Sequence, residues 1–183
     1  MLKGSRNHSS LGQNIVRVLI ANFWVAIIGL LGSFVFPKIL TVEDYALYHT
    51  FTLYVGYIAI LHLGFPSGMV INYAGSDHSL IDKKQYKSEL ILLLSILSFF
   101  TALFLFVAVF SENRMVLYVA SVIIPVCFNG SFYSLFQAWS RFKKYSHISM
   151  FVSSAIPVCA FTYYLIFKQL PGDVYIIIYI LVY

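Results

Sequence analysis

The chain has 183 residues, of which 60% are hydrophobic and 10% charged, with a mean hydropathy of +0.84. Globular domains carry roughly 25% charged residues, so there is too little charge here to cover a water-facing surface, and a soluble domain of any size is excluded. The net charge of +5 reads as membrane topology and contact with anionic lipid; nucleic-acid binding would need the basic residues on a folded soluble face.

Charge-free runs cover Val18–Pro37, Tyr45–Ser76, Leu90–Ser111, Met115–Ser140 and Tyr145–Phe167. Each is long enough to cross a hydrocarbon core of about 30 Å, which takes about 20 helical residues. A sixth run, Val174–Tyr183, offers only about 15 Å of helix and does not cross. The expectation is an all-α polytopic membrane protein forming a single transmembrane domain over residues 1–183. Its five full transmembrane helices lie at about 15–37, 45–70, 90–111, 115–139 and 146–167, with an incomplete sixth at 174–183. A half-crossed helix leaves its last carbonyls without partners, so a truncated chain is also expected.

Lys3 and Arg6 ahead of the first run imitate a signal peptide. The run is too long for one, however, and Phe34-Val35-Phe36-Pro37-Lys38 has no small-residue cleavage site. Within the first helix, Asn22 and Ser33 are polar. Thr41 followed by Glu43 and Asp44 predicts an N-cap with acids in the first turn of helix two. Two adjacent carboxylates diverge on a helix and make a poor acid/base pair.

The second run is too long for one straight span and contains Gly64-Phe65-Pro66-Ser67-Gly68. Proline removes a backbone hydrogen bond, and glycines admit a neighbour or ligand close to the backbone. Gly64, Pro66 and Gly68 are therefore a candidate hinge, either a broken helix beside a cavity or a kink settled by packing. His49 and His62 lie in the same run. A membrane histidine can relay protons, or it can simply satisfy an interhelical hydrogen bond. In the loop from Asn72 to Glu89, His78 with Asp77 and Asp82 reads as a solvated polar cluster.

In the fourth helix, Asn129 and Gln137 are eight apart and share roughly one face. They read as a polar stripe facing a cavity or as helix–helix hydrogen-bonding groups. Cys127 and Cys159 lack a CxxC spacing and suggest neither a disulfide framework nor a metal site; both read as small buried packing residues. No cofactor is expected. The sequons at Asn7 and Asn129 fall on the expected cytoplasmic side and within a helix, and neither should be glycosylated.

Short loops rich in Lys and Arg stay in the cytoplasm. With the N-terminus inside, Lys3, Arg6, Arg17, Lys83, Lys84, Lys87, Arg141, Lys143 and Lys144 are cytoplasmic, and only Lys38, Arg114 and Lys168 are external. The N-terminus is therefore expected in the cytoplasm. The chain carries no HExxH, GxSxG, P-loop or GxGxxG motif and no carboxylate or histidine cluster at one interface, so an enzyme is not expected.

Three passages carry a family resemblance. They are Asn14-Ile15-Val16, Phe36-Pro37-Lys38-Ile39-Leu40-Thr41-Val42-Glu43-Asp44-Tyr45-Ala46-Leu47-Tyr48, and His62-Leu63-Gly64-Phe65 followed by Asn72-Tyr73-Ala74-Gly75. Together they resemble the start of the polysaccharide flippases, the O-antigen and capsule exporters of the multidrug/oligosaccharidyl-lipid/polysaccharide superfamily. The resemblance covers the first 75 residues or so by motif, and the rest by helix spacing and charge pattern. Ala46 stands where the family often has glycine, and His62 where an acidic residue is frequent. The second departure weakens any ion-coupling role carried over to that position.

The resemblance implies most of the first lobe of a larger alternating-access transporter in the cell inner membrane. Such a transporter passes an undecaprenyl-linked oligosaccharide outward and has no catalytic residues. The implied partners are the lipid bilayer, the lipid-linked oligosaccharide and polysaccharide polymerase machinery, with no nucleic acid. Arg17 is then a candidate for the diphosphate, since a guanidinium matches phosphate oxygens bidentately; an interfacial topology anchor is the other reading. Asn22, His62, Asn129 and Gln137 complete the substrate-pathway candidates. A multidrug or cation exporter of the same superfamily and a non-transporting membrane scaffold are the alternatives.

Overall fold

The structure, a computed structural model, describes residues 11–74 and 82–183. Lys3, Arg6, the Asn7 sequon, Gly75, Asp77 and His78 lie outside the described residues. Seven α-helices and no strand are present among the described residues: α1 Leu11–Ile39, α2 Val42–Ile58, α3 Phe65–Tyr73, α4 Lys83–Ser111, α5 Arg114–Ala138, α6 Phe142–Phe167 and α7 Gly172–Val182. A single 3-10 turn, Ala59–His62, joins α2 to α3.

The helix starts follow local side-chain chemistry. The Thr41 hydroxyl oxygen accepts the Asp44 N–H at 3.1 Å, the expected N-cap of α2. Asp82 accepts the Lys84 N–H at 2.9 Å at the start of α4, and Asn113 accepts the Met115 N–H at 2.9 Å at the start of α5. Each satisfies an amide that has no partner inside its helix.

Two expected boundaries need correction, and one expected break is present. The helix expected at 90–111 begins at Lys83, because Lys83, Lys84 and Lys87 are good helix formers and charge marks where a helix meets water, not where it starts. The break expected within 45–70 is present, as two helices meeting at a bend of 54°. The last helix starts at Gly172, just after Pro171 fixes an extended residue ahead of it.

Four helices, α1, α4, α5 and α6, are long and apolar enough to cross a membrane, and the bent α2–α3 pair makes a fifth if it is one span. Their outer faces are those of a multi-pass membrane protein. Phe23, Phe34, Phe106 and Phe110 stand exposed, Phe110 at 74%, on a scale that a soluble monomer does not tolerate.

Helix α5 is the hub, touching α2, α3, α4, α6 and α7. Its face at Val119, Val122, Ile123 and Cys127 packs with Phe51, Val55, Leu93 and Leu97 to form the largest core. Two pairs of helices run parallel. Helix α1 lies along α6, with the Ser146 hydroxyl donating to the Arg17 carbonyl at 3.2 Å and the Trp24 indole N–H donating to Ser154 Oγ at 2.8 Å. Helix α2 lies along α7, where the Gly172 N–H donates to Asp44 Oδ1 at 2.7 Å.

The molecule thus has a basic end, carrying Lys83, Lys84, Lys87, Arg141, Lys143 and Lys144, and an opposite end where the α1–α2, α4–α5 and α6–α7 connections lie. The basic end is tied by the Tyr73 hydroxyl donating to Glu89 Oε2 at 2.8 Å, and by Tyr86 between the rings of Tyr73 and Trp139. The opposite end is tied by Asp44 on Gly172 and by the Tyr118 hydroxyl on Asp173 Oδ1 at 2.9 Å. Both of these bonds hold α7, so this short helix is docked into the bundle.

Candidate functional site

Residues Tyr175, Tyr179 and Tyr183 recur every four positions and share one face of α7. Tyr175 meets Phe36 of α1 at 5.0 Å and Tyr48 of α2 at 4.6 Å between ring centroids, both edge to face, and Tyr179 meets Phe51 of α2 at 5.3 Å. Tyr179 and Tyr183 stack at 4.8 Å.

Nearer the basic end, Tyr133 of α5 and Tyr145 of α6 meet edge to face at 5.6 Å. The Tyr145 hydroxyl donates to Asn22 Oδ1 of α1 at 3.2 Å, and Asn129 lies one turn before Tyr133 on α5. A seam of amides and phenols therefore crosses from α1 through α6 to α5. A phenol offers both an apolar ring face and a hydrogen-bonding tip, which suits a surface that meets ring carbons and hydroxyls of a ligand together.

Of the residues singled out in the sequence, Asn22 and Asn129 are brought into this seam. The two tyrosines that link them were missed, because tyrosine does not interrupt an apolar run. Gln137, two turns on along the same helix, is exposed where Asn129 is half-buried. Arg17 is half-buried, its Nη1 donating to Asn14 Oδ1 at 3.4 Å, and its backbone lies against Ser146, the neighbour of Tyr145. It stands at the basic end of α1, five positions before Asn22. Ser33 is exposed and its hydroxyl donates to the Gly29 carbonyl at 3.0 Å, bonding within its own helix.

His62 lies elsewhere, at the break of the second span, on a turn packed against α4 and α5. Leu63 and Gly64 are both left-handed there, with φ of 51° and 74°, and the turn they make ends one helix and starts the next. The His62 Nδ1 accepts the Gly64 N–H at 3.2 Å, which puts the neutral ring's proton on Nε2. In this arrangement His62 caps the break. Cys127 Sγ donates to the carbonyl of Ile58 at 3.4 Å, just ahead of the break.

The hinge candidates separate in the same way. Gly64 is the break itself. Pro66 sits in the first turn of α3, where a missing N–H costs nothing because that amide has no helical partner. Gly68 lies within α3, and a Cβ added there would meet nothing within 4 Å, so no neighbour approaches its backbone. Cys159 also departs from expectation: it is exposed, while Cys127 is buried. It sits on the outer face of α6, and packing does not explain it.

A half-open crevice of about 160 Å³ lies between α1, α2, α6 and α7. Gly29 and Gly32 of α1 and Pro157 of α6 leave the room, and the Phe36, Tyr48 and Tyr175 rings close one end. Among the described residues no group of three or more His, Cys, Asp or Glu side chains could hold a metal ion. The described acids, Glu43, Asp44, Asp82, Glu89, Glu112 and Asp173, all stand at or near helix ends.

No family model, curated protein or solved structure matches the chain.

Proposed function

We propose that this chain forms the greater part of the first lobe of a polysaccharide exporter, a flippase that carries an undecaprenyl-linked oligosaccharide across the cytoplasmic membrane by alternating access. It would cross that membrane five times, with the N-terminus in the cytoplasm and α7 entering from the outside. The observation that carries the proposal is the seam of Asn22, Tyr145 and Tyr133, with Asn129 one turn from Tyr133, polar groups set among apolar helices. In lipid, polar groups are kept where they face a partner or a water-filled path. Amides and phenols, without a fixed charge, match the hydroxyls of a sugar.

The position of Arg17, at the basic end of the same helix as Asn22, suits contact with the diphosphate, while Lys83, Lys84, Lys87, Arg141, Lys143 and Lys144 serve as topology anchors. The placement of the acids favours a glycan over a drug cation, because a cation exporter needs a carboxylate inside the membrane and every described acid is near a helix end. In this role the chain is a carrier and performs no bond chemistry. A clean deletion should block surface polysaccharide while lipid-linked repeat units accumulate; normal surface polysaccharide in that strain would reject the proposal.

A further inference from the structure

We infer that the crevice beside α1 seats one acyl chain of a bilayer phospholipid, with its phosphate at Lys38 and Lys168. The inference rests on membrane residence alone and is independent of what the protein exports.

The stripe Val25, Gly29, Gly32 and Phe36 lines the α1 wall. The eleven helical steps from Val25 to Phe36 span about 16 Å, and one leaflet's share of the hydrocarbon core is about 15 Å. The stripe is therefore as long as one leaflet's chain. Helix α1 leans on α6 and barely on α2, so the crevice stays open on the side where Val25 and Gly29 are exposed. Its volume of about 160 Å³ is close to that of apolar cavities known to take a six-carbon ring. It holds a stretch of one chain, with the remainder lying along the open flank.

The lining chemistry excludes most other occupants. Among the described residues no charged side chain lines the crevice. The Ser153 hydroxyl is already committed to the Met150 carbonyl at 3.1 Å, and the Tyr48 and Tyr175 rings pack edge to face at 4.6 Å. Water gains little in such a place, and an empty crevice forfeits dispersion contacts that an alkyl chain restores. Charge complementarity selects the lipid class. The two helices that wall the crevice run parallel, and they finish near the same end on exposed lysines, Lys38 in the last turn of α1 and Lys168 at the C-cap of α6. Both lie beyond the Phe36 end of the stripe, and a phosphate held there leaves its chain to enter the crevice from the open flank, past the rings that close that end.

The test is native mass spectrometry of the protein purified in mild detergent, with the retained lipid identified by its fragments. The wild-type chain should keep one phospholipid. Gly29→Leu, at a position where an added Cβ meets nothing within 4 Å, fills the crevice without disturbing α1 and should lower retention about tenfold. Val25→Phe narrows the crevice from an exposed position and should do the same, which guards against a folding defect in either variant. Replacing Lys38 and Lys168 together by Gln should also reduce retention, while Val109→Leu on the exposed face of α4 should not. Retention unchanged by both crevice variants, no lipid on the wild-type chain, or a retained prenyl phosphate in place of a phospholipid would each overturn the inference.

Discussion

Gly172 is where α7 touches α2, and replacing it by alanine measures how tightly α7 is docked. A Cβ there would sit 3.0 Å from the Asp44 carbonyl oxygen, 3.0 Å from Leu47 Cδ2 and 3.2 Å from Asp44 Cα. The leucine methyl can rotate away. The two backbone atoms cannot, because Asp44 lies in the first turn of α2 and its N–H is held by the Thr41 cap. Alanine must therefore push α7 outward, stretching the 2.7 Å bond from the Gly172 N–H to Asp44 and loosening Tyr175 from Phe36 and Tyr48. Overpacking of this kind costs about 1–3 kcal/mol, and the helix-forming gain from glycine to alanine returns less than about 1 kcal/mol, for a net loss of about 1–2 kcal/mol.

The chain supplies its own reporter for this loss. Cys127 is buried and Cys159 exposed, so in a Cys159→Ser background a thiol-reactive dye labels Cys127 only as the bundle opens on heating. Gly172→Ala should lower the labelling midpoint by several degrees, whereas Gly29→Ala, whose Cβ meets nothing within 4 Å, should leave it unchanged or raise it. A Gly172→Ala midpoint equal to or above the parent would refute the argument that backbone contact docks α7.

Tyr145→Phe removes the bond to Asn22 and should reduce export while moving the labelling midpoint by less than about 1.5 kcal/mol equivalent; export and midpoint falling in step would make the seam structural only. Arg17→Gln should abolish export with membrane insertion intact, and unchanged export would reject the diphosphate contact. His62→Ala leaves the Gly64 N–H without its acceptor and should cost about 1 kcal/mol, seen as faster hydrogen exchange at Gly64; unchanged exchange would show that the cap contributes nothing. Glu112 ends α4 in a left-handed conformation with φ of 50°, so Glu112→Gly should raise the midpoint by up to about 1 kcal/mol equivalent. A lower midpoint would point to a native role for that carboxylate.

Much of the helix plan was legible because lipid makes hydropathy a strong signal: the runs at Val18, Leu90, Met115 and Tyr145 each became one long helix. The break near Gly64 and the Thr41 cap were legible from local backbone chemistry. The start of α4 at Lys83 was not, since charge reports the water boundary and a helix can cross it. The seam was only half visible. Asn22 and Asn129 announce themselves as polar, but Tyr133 and Tyr145 belong equally to apolar and polar surfaces, and only the parallel packing of α1 on α6 shows which role they take. The clasp at Gly172 was invisible for a similar reason, because nothing in the local sequence says that Asp44, far away along the chain, caps the start of α7. Cys159 reads as a packing residue by type and lies on the outside, since either surface accepts a small apolar group when the solvent is lipid.

The most direct measurement is the leaflet distribution of lipid-linked repeat units in cells with and without the gene. It is read by enzymatic labelling of their sugars on right-side-out and inverted membrane vesicles. Export by this chain requires that the repeat units be confined to the cytoplasmic leaflet in the deletion and return to the outer leaflet when the gene is restored. Outer-leaflet repeat units at the same level in both strains would contradict it.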